Sequence, residues 1–253
     1  MRFIAVTAAL AFAACGGDSS TDPGNGGGGG GGNGGGGAAE AAAIATVSGG
    51  GQEARTLLAL ADPLVVRVTD ANGTAVSGAT VTWSVTGGGS LSTSTSTTNT
   101  QGQASNTFTA GPSLGTSTVQ ASVSGVPDPA EFTIETSIVV VRMQGIAFVA
   151  PDGTDDLTVP VGTKVEWWNL DQVQHTATSS DEPAGGAAIR TGFISNGQTR
   201  PFTPTVEGTW TYFCEVHPGI MVGATITATA TGSTSTTGGD TIDPPTGDPN
   251  YPG

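Results

Sequence analysis

Histidine and cysteine are scarce in this chain of 253 residues, with two of each. It cannot alone supply a second His-rich catalytic metal centre or a disulfide framework. Basic residues are also few: seven Lys and Arg stand against 21 Asp and Glu, for a formal net charge of −14. Nine acidic residues oppose four basic ones between 138 and 230, and six oppose two between 44 and 137. No basic stripe exists to meet phosphates, which excludes nucleic acid as a partner. The acidity keeps the chain soluble and, at a docking face, favours a cationic partner such as a basic redox protein. Helical periodicity is lacking, and no stretch reaches the ~18 apolar residues of a spanning helix.

What is present is Gly, Ser, Thr and Val in short alternating runs broken by turn residues, the pattern of an all-β chain. The 41 Gly residues are concentrated in one tract. Met1-Arg2, the apolar run Phe3 to Ala14 and the small residues before Cys15 read as a secretory signal over 1–15. The segment resembles a bacterial lipoprotein signal, with Phe12 where that family prefers Leu. The resemblance implies lipidation of Cys15, a membrane anchor and an extracytoplasmic location in the periplasm or at the cell surface. Residues 16–43 cannot bury enough surface to offset chain entropy, so a disordered linker is expected, with an r.m.s. reach of roughly 30 Å. The Thr, Ser, Gly, Asp and Pro of 231–253 read as a disordered tail.

Between 44 and 137, runs such as Leu64 to Val68, Ala79 to Val85 and Ser117 to Val123 are separated by Asp70-Ala71-Asn72-Gly73, Gly87-Gly88-Gly89 and Gly125-Val126-Pro127. This is the punctuation of a sandwich. Trp83 reads as a core anchor, since a large aromatic on a strand usually packs. The sequence Asp70-x-x-Gly73-x-x-Val76-x-Gly78-Ala79-x-Val81-x-Trp83, with Gly87-Gly88-Gly89 and Thr100-x-Gly102-x-Ala104, resembles the bacterial immunoglobulin-like domains of the invasin and intimin type. That resemblance implies a spacer or an adhesion module. The segment holds neither His nor Cys, and no catalytic constellation is visible in it.

The chemistry lies in 138–230. Strands are expected over Ile138 to Met143, Asp156 to Val159, Thr163 to Trp168, Gly208 to Cys214 and Ala224 to Ala230. Trp167 and Trp168 should then point to opposite faces, one in the core and one outside it. Cys214 ends a strand, His217 follows after two intervening residues with Pro218 and Gly219 shaping a turn, and Met221 lies in the same loop. His175 follows the Trp167-Trp168 strand and a polar turn. Thiolate and thioether suit Cu(I), and imidazole suits both copper oxidation states. A structural zinc site is the chemical rival, but it would recruit a hard or thiolate fourth ligand rather than Met.

Val159-Pro160-Val161-Gly162-Thr163, Phe193-Ile194-Ser195-Asn196-Gly197-Gln198 and Gly208-Thr209-Trp210-Thr211-Tyr212-Phe213-Cys214 complete a resemblance to cupredoxins of the plastocyanin and amicyanin type. It implies a Greek-key β-sandwich holding one mononuclear blue-copper ion. His175, Cys214 and His217 become equatorial ligands and Met221 the axial one. Met221 stands four residues after His217, between the amicyanin and plastocyanin spacings. The implied function is single-electron transfer between a donor and an acceptor such as a cytochrome, without enzyme activity. Copper trafficking and a surface adhesion role with a non-redox metal site are the alternatives. The resemblance also implies that polar groups near His175 tie the ligand loops together, with Asn169, Asp171 and Thr176 as candidates. Asn169 and Asp171 read equally well as plain turn residues. Glu215 is expected to face solvent.

Overall fold

The computed structural model describes residues 40–230. The signal segment, Cys15, most of the Gly-rich linker and the tail from 231 lie outside the described residues. Those described form strands and no helix. In chain order these are β1 (Ala43–Ser48), β2 (Glu53–Arg55), β3 (Leu64–Thr69), β4 (Thr80–Thr86), β5 (Ser90–Leu91), β6 (Thr95–Thr97), β7 (Gln103–Asn106), β8 (Phe108–Thr109) and β9 (Gly115–Val123). Then follow β10 (Ala130–Met143), β11 (Phe148–Val149), β12 (Asp156–Pro160), β13 (Lys164–Asn169), β14 (Thr178–Asp181), β15 (Thr199–Phe202), β16 (Gly208–Phe213) and β17 (Ala224–Thr229).

Period-two alternation builds the first core. Leu64, Val66 and Val68 of β3 meet Val81 and Trp83 of β4, Val119 and Ala121 of β9, and Phe132 and Ile134 of β10. Trp83 is buried as expected, stacks on Phe132 with ring centroids 6.4 Å apart, and donates its indole N–H to Ser96 Oγ at 2.8 Å. The glycine run after β4 permits a close approach. Gly87 has φ +90°, and a Cβ there would lie 2.3 Å from the Thr116 carbonyl oxygen.

The second core lies between β15-β13-β10 and the four-stranded sheet β12-β17-β16-β14. Val139, Val141 and Met143 of β10 and Val165 and Trp167 of β13 face Leu157, Val159, Trp210, Tyr212 and Ile226. Tyr212 makes edge contacts with Phe148 and Trp167, at centroid distances of 4.7 and 5.4 Å.

The two sandwiches share β10. Its first half pairs antiparallel with β9 from Ala130 to Thr136, and its second half pairs parallel with β13 from Ile138 to Met143. Burial changes character along it. Ala130 to Glu135 alternate buried and exposed, whereas Ile138, Val139, Val140 and Val141 are all buried. A strand buried on both faces needs an apolar run rather than alternation, and Ile138-Val139-Val140-Val141 is such a run. The odd positions enter the second core. The even ones lie beside β2, which pairs parallel with β10, and Thr56 just after it. Thr56 donates its N–H to the Ile138 carbonyl at 2.9 Å and accepts the Val140 N–H on Oγ1, also at 2.9 Å.

The same cover reaches β13. Trp167 is fully buried, while Trp168 lies outside the core but half-buried, lining a crevice with Thr56, Leu57, Leu58, Val140 and Arg142. Glu166, 5% exposed, accepts from Arg55 of β2 at 2.9 Å and pairs with Lys164 at 2.8 Å. Burial alone would raise the Glu166 pKa, but Lys164 and Arg55 outweigh it and the carboxyl sits below its ordinary value. A carboxylate with a lowered folded-state pKa adds stability above the unfolded-state value, and this is lost as pH falls through the folded-state value. Glu166→Gln should therefore lower stability at neutral pH by about 1–2 kcal/mol. The deficit should shrink below about pH 4.5, which urea denaturation from pH 3 to 7 would check.

Candidate metal centre

β13 ends at Asn169, whose fully buried side chain does the local shaping. Its Nδ2 donates to the carbonyls of Val173 and Ile194, both at 2.7 Å, and its Oδ1 accepts the Asp171 N–H at 2.8 Å. The loop 169–175 is thereby folded on itself and fastened to the segment 193–198. That segment returns the hold: Asn196 Nδ2 donates to the carbonyls of Leu170 and Asp171, and the Gly197 N–H donates to the Asn169 carbonyl. His175 and Ile194 exchange backbone hydrogen bonds at 3.1 and 2.8 Å. His175 so arrives with no exposed surface.

The second loop starts at Cys214, directly after β16 and also fully buried. The Cys214 N–H donates to the Met221 carbonyl at 2.9 Å, closing the loop. Inside it His217 donates to the Cys214 carbonyl, and the His217 carbonyl accepts from Ile220 and Met221. Met221 is 2% exposed and belongs to the same buried core as Cys214.

His175, Cys214 and His217 converge. Cys214 Sγ lies 3.7 Å from Nδ1 of each histidine, and one ligand atom from each residue falls within 4.8 Å of the others. The imidazole rings are 4.9 Å apart and tilted by 47°. Donors at this separation are spanned by one ion with metal–nitrogen and metal–sulfur bonds of about 2.0–2.3 Å. Two imidazoles and a thiolate beside a buried thioether residue are the donors that suit copper in both oxidation states.

Thr176 joins the two loops. Its N–H points at Cys214 Sγ at 3.3 Å, and its Oγ1 accepts the Glu215 N–H at 2.8 Å. Glu215 is exposed and accepts from Thr178 Oγ1 at 3.0 Å. Asp171 Oδ2 lies 2.9 Å from His175 Nε2. Burial draws the His175 pKa below its ordinary value of 6.5, opposed by the hydrogen bond and charge of Asp171, with His217 adding to the lowering. The neutral imidazole that a metal requires is the favoured form.

Of the residues singled out in the sequence, His175, Cys214 and His217 are brought together, Met221 is buried in the loop that carries two of them, and Cys15 lies outside the described residues. Asn169 and Asp171 are more than turn residues, because their side chains bond groups up to 26 positions away. The signal for Asp171 was its place four residues before His175.

Two family models match the chain, one over each sandwich. Residues 61–135 match the family Bacterial Ig-like domain (group 1), and residues 139–228 match Copper binding proteins, plastocyanin/azurin family. Solved structures similar to the chain include a mutant of amicyanin in the Cu(I) form, 26% identical over 37% of this chain and 83% of that one, with a TM-score of 0.32. Amicyanin from Paracoccus versutus (Thiobacillus versutus) is 25% identical over 36% of this chain and 81% of that one, also with a TM-score of 0.32. No curated protein matches. The chain carries an immunoglobulin-like domain followed by a cupredoxin domain of the type that takes one blue-copper ion.

Asn169→Ala would leave two buried carbonyls without their donors and free the His175 loop. It should lower stability by about 2–4 kcal/mol and Cu(II) affinity at least tenfold, roughly as expected for loss of a ligand-orienting group. Urea titration and competition with a Cu(II) chelator would check the two effects.

Proposed function

We propose that this protein is a membrane-anchored, extracytoplasmic blue-copper electron carrier in which His175, Cys214, His217 and Met221 hold the metal. The observation that carries the reading is the convergence of two imidazoles and a thiolate within 4.8 Å, in a domain matched by copper proteins of the plastocyanin/azurin family. When bound, copper supplies a one-electron Cu(II)/Cu(I) couple. The protein's part is to hold four donors in place through the change of charge. The hydrogen-bonded loops 169–175 and 214–221 do this on a two-sheet scaffold. Both histidines of the sequence belong to this site, which leaves neither for a second His-rich centre.

The two histidines differ in access: His175 is fully buried, whereas His217 is partly exposed. Electrons would pass by way of the His217 edge to and from a donor and an acceptor such as a cytochrome. Six large apolar side chains are exposed among the described residues, and five of them, Val173, Phe193, Val216, Ile220 and Val222, lie in segments that build the site. With Pro218 and Gly219 they supply apolar surface for docking, and the net charge of −14 favours a basic partner. Lipidation at Cys15 would anchor the chain, and the tether would let the domains reach partners away from the membrane. The immunoglobulin-like domain serves as a spacer.

The purified protein loaded with Cu(II) should show an intense blue band that bleaches with ascorbate and returns on oxidation. Cys214→Ser should abolish the band, and a colourless wild-type protein would overturn the electron-carrier reading. Met221→Gln should lower the reduction potential, and an unchanged potential would remove Met221 from the ligand set. Cys15→Ala should move the protein from the membrane fraction to the soluble extracytoplasmic fraction.

A further inference from the structure

We propose that Asp171 is a positioning residue for electron transfer: its carboxylate holds the His175 imidazole as the Nε2–H tautomer, directs Nδ1 toward Cys214, and lowers the reduction potential of the bound copper. This rests on the copper reading of the site.

Three hydrogen bonds meet on the carboxylate. Oδ1 accepts the Gly145 N–H at 2.8 Å, and Oδ2 accepts the Ile146 N–H at 3.0 Å and lies 2.9 Å from His175 Nε2. With Nε2–H donating to the carboxylate, Nδ1 carries the free lone pair, and Nδ1 is the atom 3.7 Å from Cys214 Sγ. Ordinary turn chemistry does not account for this arrangement. The turn of residue 171's own loop is made by Asn169, whose Oδ1 takes the Asp171 N–H. The amides on the Asp171 carboxylate come from the β10–β11 connection, 25 and 26 positions away.

That connection is built to present them. Gly145 and Ile146 have φ of 65° and 57°. Beyond the paired positions Met143 and Phe148 they form a two-residue loop closed by Gln144, whose N–H donates to the Ala147 carbonyl at 3.1 Å. Two consecutive positive φ angles match the twist of a tight hairpin, but a β-branched residue adopts one only under strain. Ile146 packs its side chain against the second core while its amide is taken by Asp171. Strain of this kind persists where surrounding contacts over-determine it, and it concentrates near functional sites. The two amides hold the carboxylate so that it approaches the imidazole from a fixed direction.

All three partners of the carboxylate are donors. An ionised Asp, which only accepts, satisfies them, whereas Asn would turn an NH₂ toward at least one. A fixed negative charge against the far nitrogen of a ligating imidazole makes that imidazole a stronger donor to the metal. Stronger donation stabilises Cu(II) relative to Cu(I), which lowers the potential.

The test uses the full-length protein and its Asp171→Asn variant. Absence of a blue band in wild type would overturn the copper reading itself, and the proposal with it. With the band present in both proteins, the variant should bind Cu(II) about tenfold less tightly with little change in Cu(I) affinity. For a one-electron couple that is a rise in potential of ~59 mV. In the Cu(I) protein, NMR should find an exchange-protected His175 Nε2–H in wild type that loses its protection in the variant. A variant that is less stable but has an unchanged potential and an unchanged Nε2–H signal would overturn the proposal and leave Asp171 as a brace for the hairpin. Should the variant fail to fold, the wild-type signal decides alone, and its absence overturns the proposal. Asp171→Glu keeps the charge and should have a potential nearer to wild type than Asp171→Asn.

Discussion

Asn169 has no exposed surface and satisfies three backbone groups at once, the carbonyls of Val173 and Ile194 and the N–H of Asp171. The fold of the loop that leads to His175 depends on it. The loop 169–175 would otherwise be a polar excursion at the end of a strand, free to lose its shape at a small loss in contacts. With its turn closed from inside and its flank fastened to Ile194, His175 enters the core in one orientation. Buried polar networks of this kind specify a single geometry only when every member is satisfied, and each polar atom of the Asn169 side chain has a partner here.

The sharing of β10 matters on a larger scale. A spacer joined by a flexible peptide would leave the copper domain to tumble on its own. Here one strand runs through both sandwiches, and β2 of the first pairs along it into the second. The Arg55–Glu166–Lys164 cluster ties β2 to β13. The immunoglobulin-like domain and the copper domain are therefore joined by a continuous strand rather than by a loose peptide.

The sequence made the long alternating strands legible, because β3, β4, β9 and β16 each bury one face and expose the other. It made the convergence of the donors legible because three of the four candidates, Cys214, His217 and Met221, share one short loop and the histidine and cysteine census leaves few others. The continuity of β10 was not legible. An alternating stretch followed by Ile138-Val139-Val140-Val141 reads as the end of one domain and the start of another, and only the cover from residues 54–58 explains the apolar run. Glu166 on a strand reads as solvent-facing for the same reason; its partner Arg55 is 111 positions away. Short strands such as β11, β14 and β15 lack the length to show a period. Asp171 was ambiguous because an acidic residue in a polar loop has turn chemistry as its first reading, and what it bonds is set by a hairpin whose conformation the sequence disguises with an isoleucine.

The site combines features that pull against each other. Burial of His175 and Cys214 excludes water and fixes the donors, so little rearrangement need accompany a change of charge, but complete burial would also insulate the centre. Partial exposure of His217 alone resolves this, since one ligand edge reaches the surface while the others stay enclosed. The Asp171 carboxylate lies against Nε2 of the buried His175, the ring nitrogen away from Cys214. The exposed apolar residues fall in the loops and the polar ties beneath them, so on the reading proposed above docking and tuning would fall to different residues of the same loops and could vary independently.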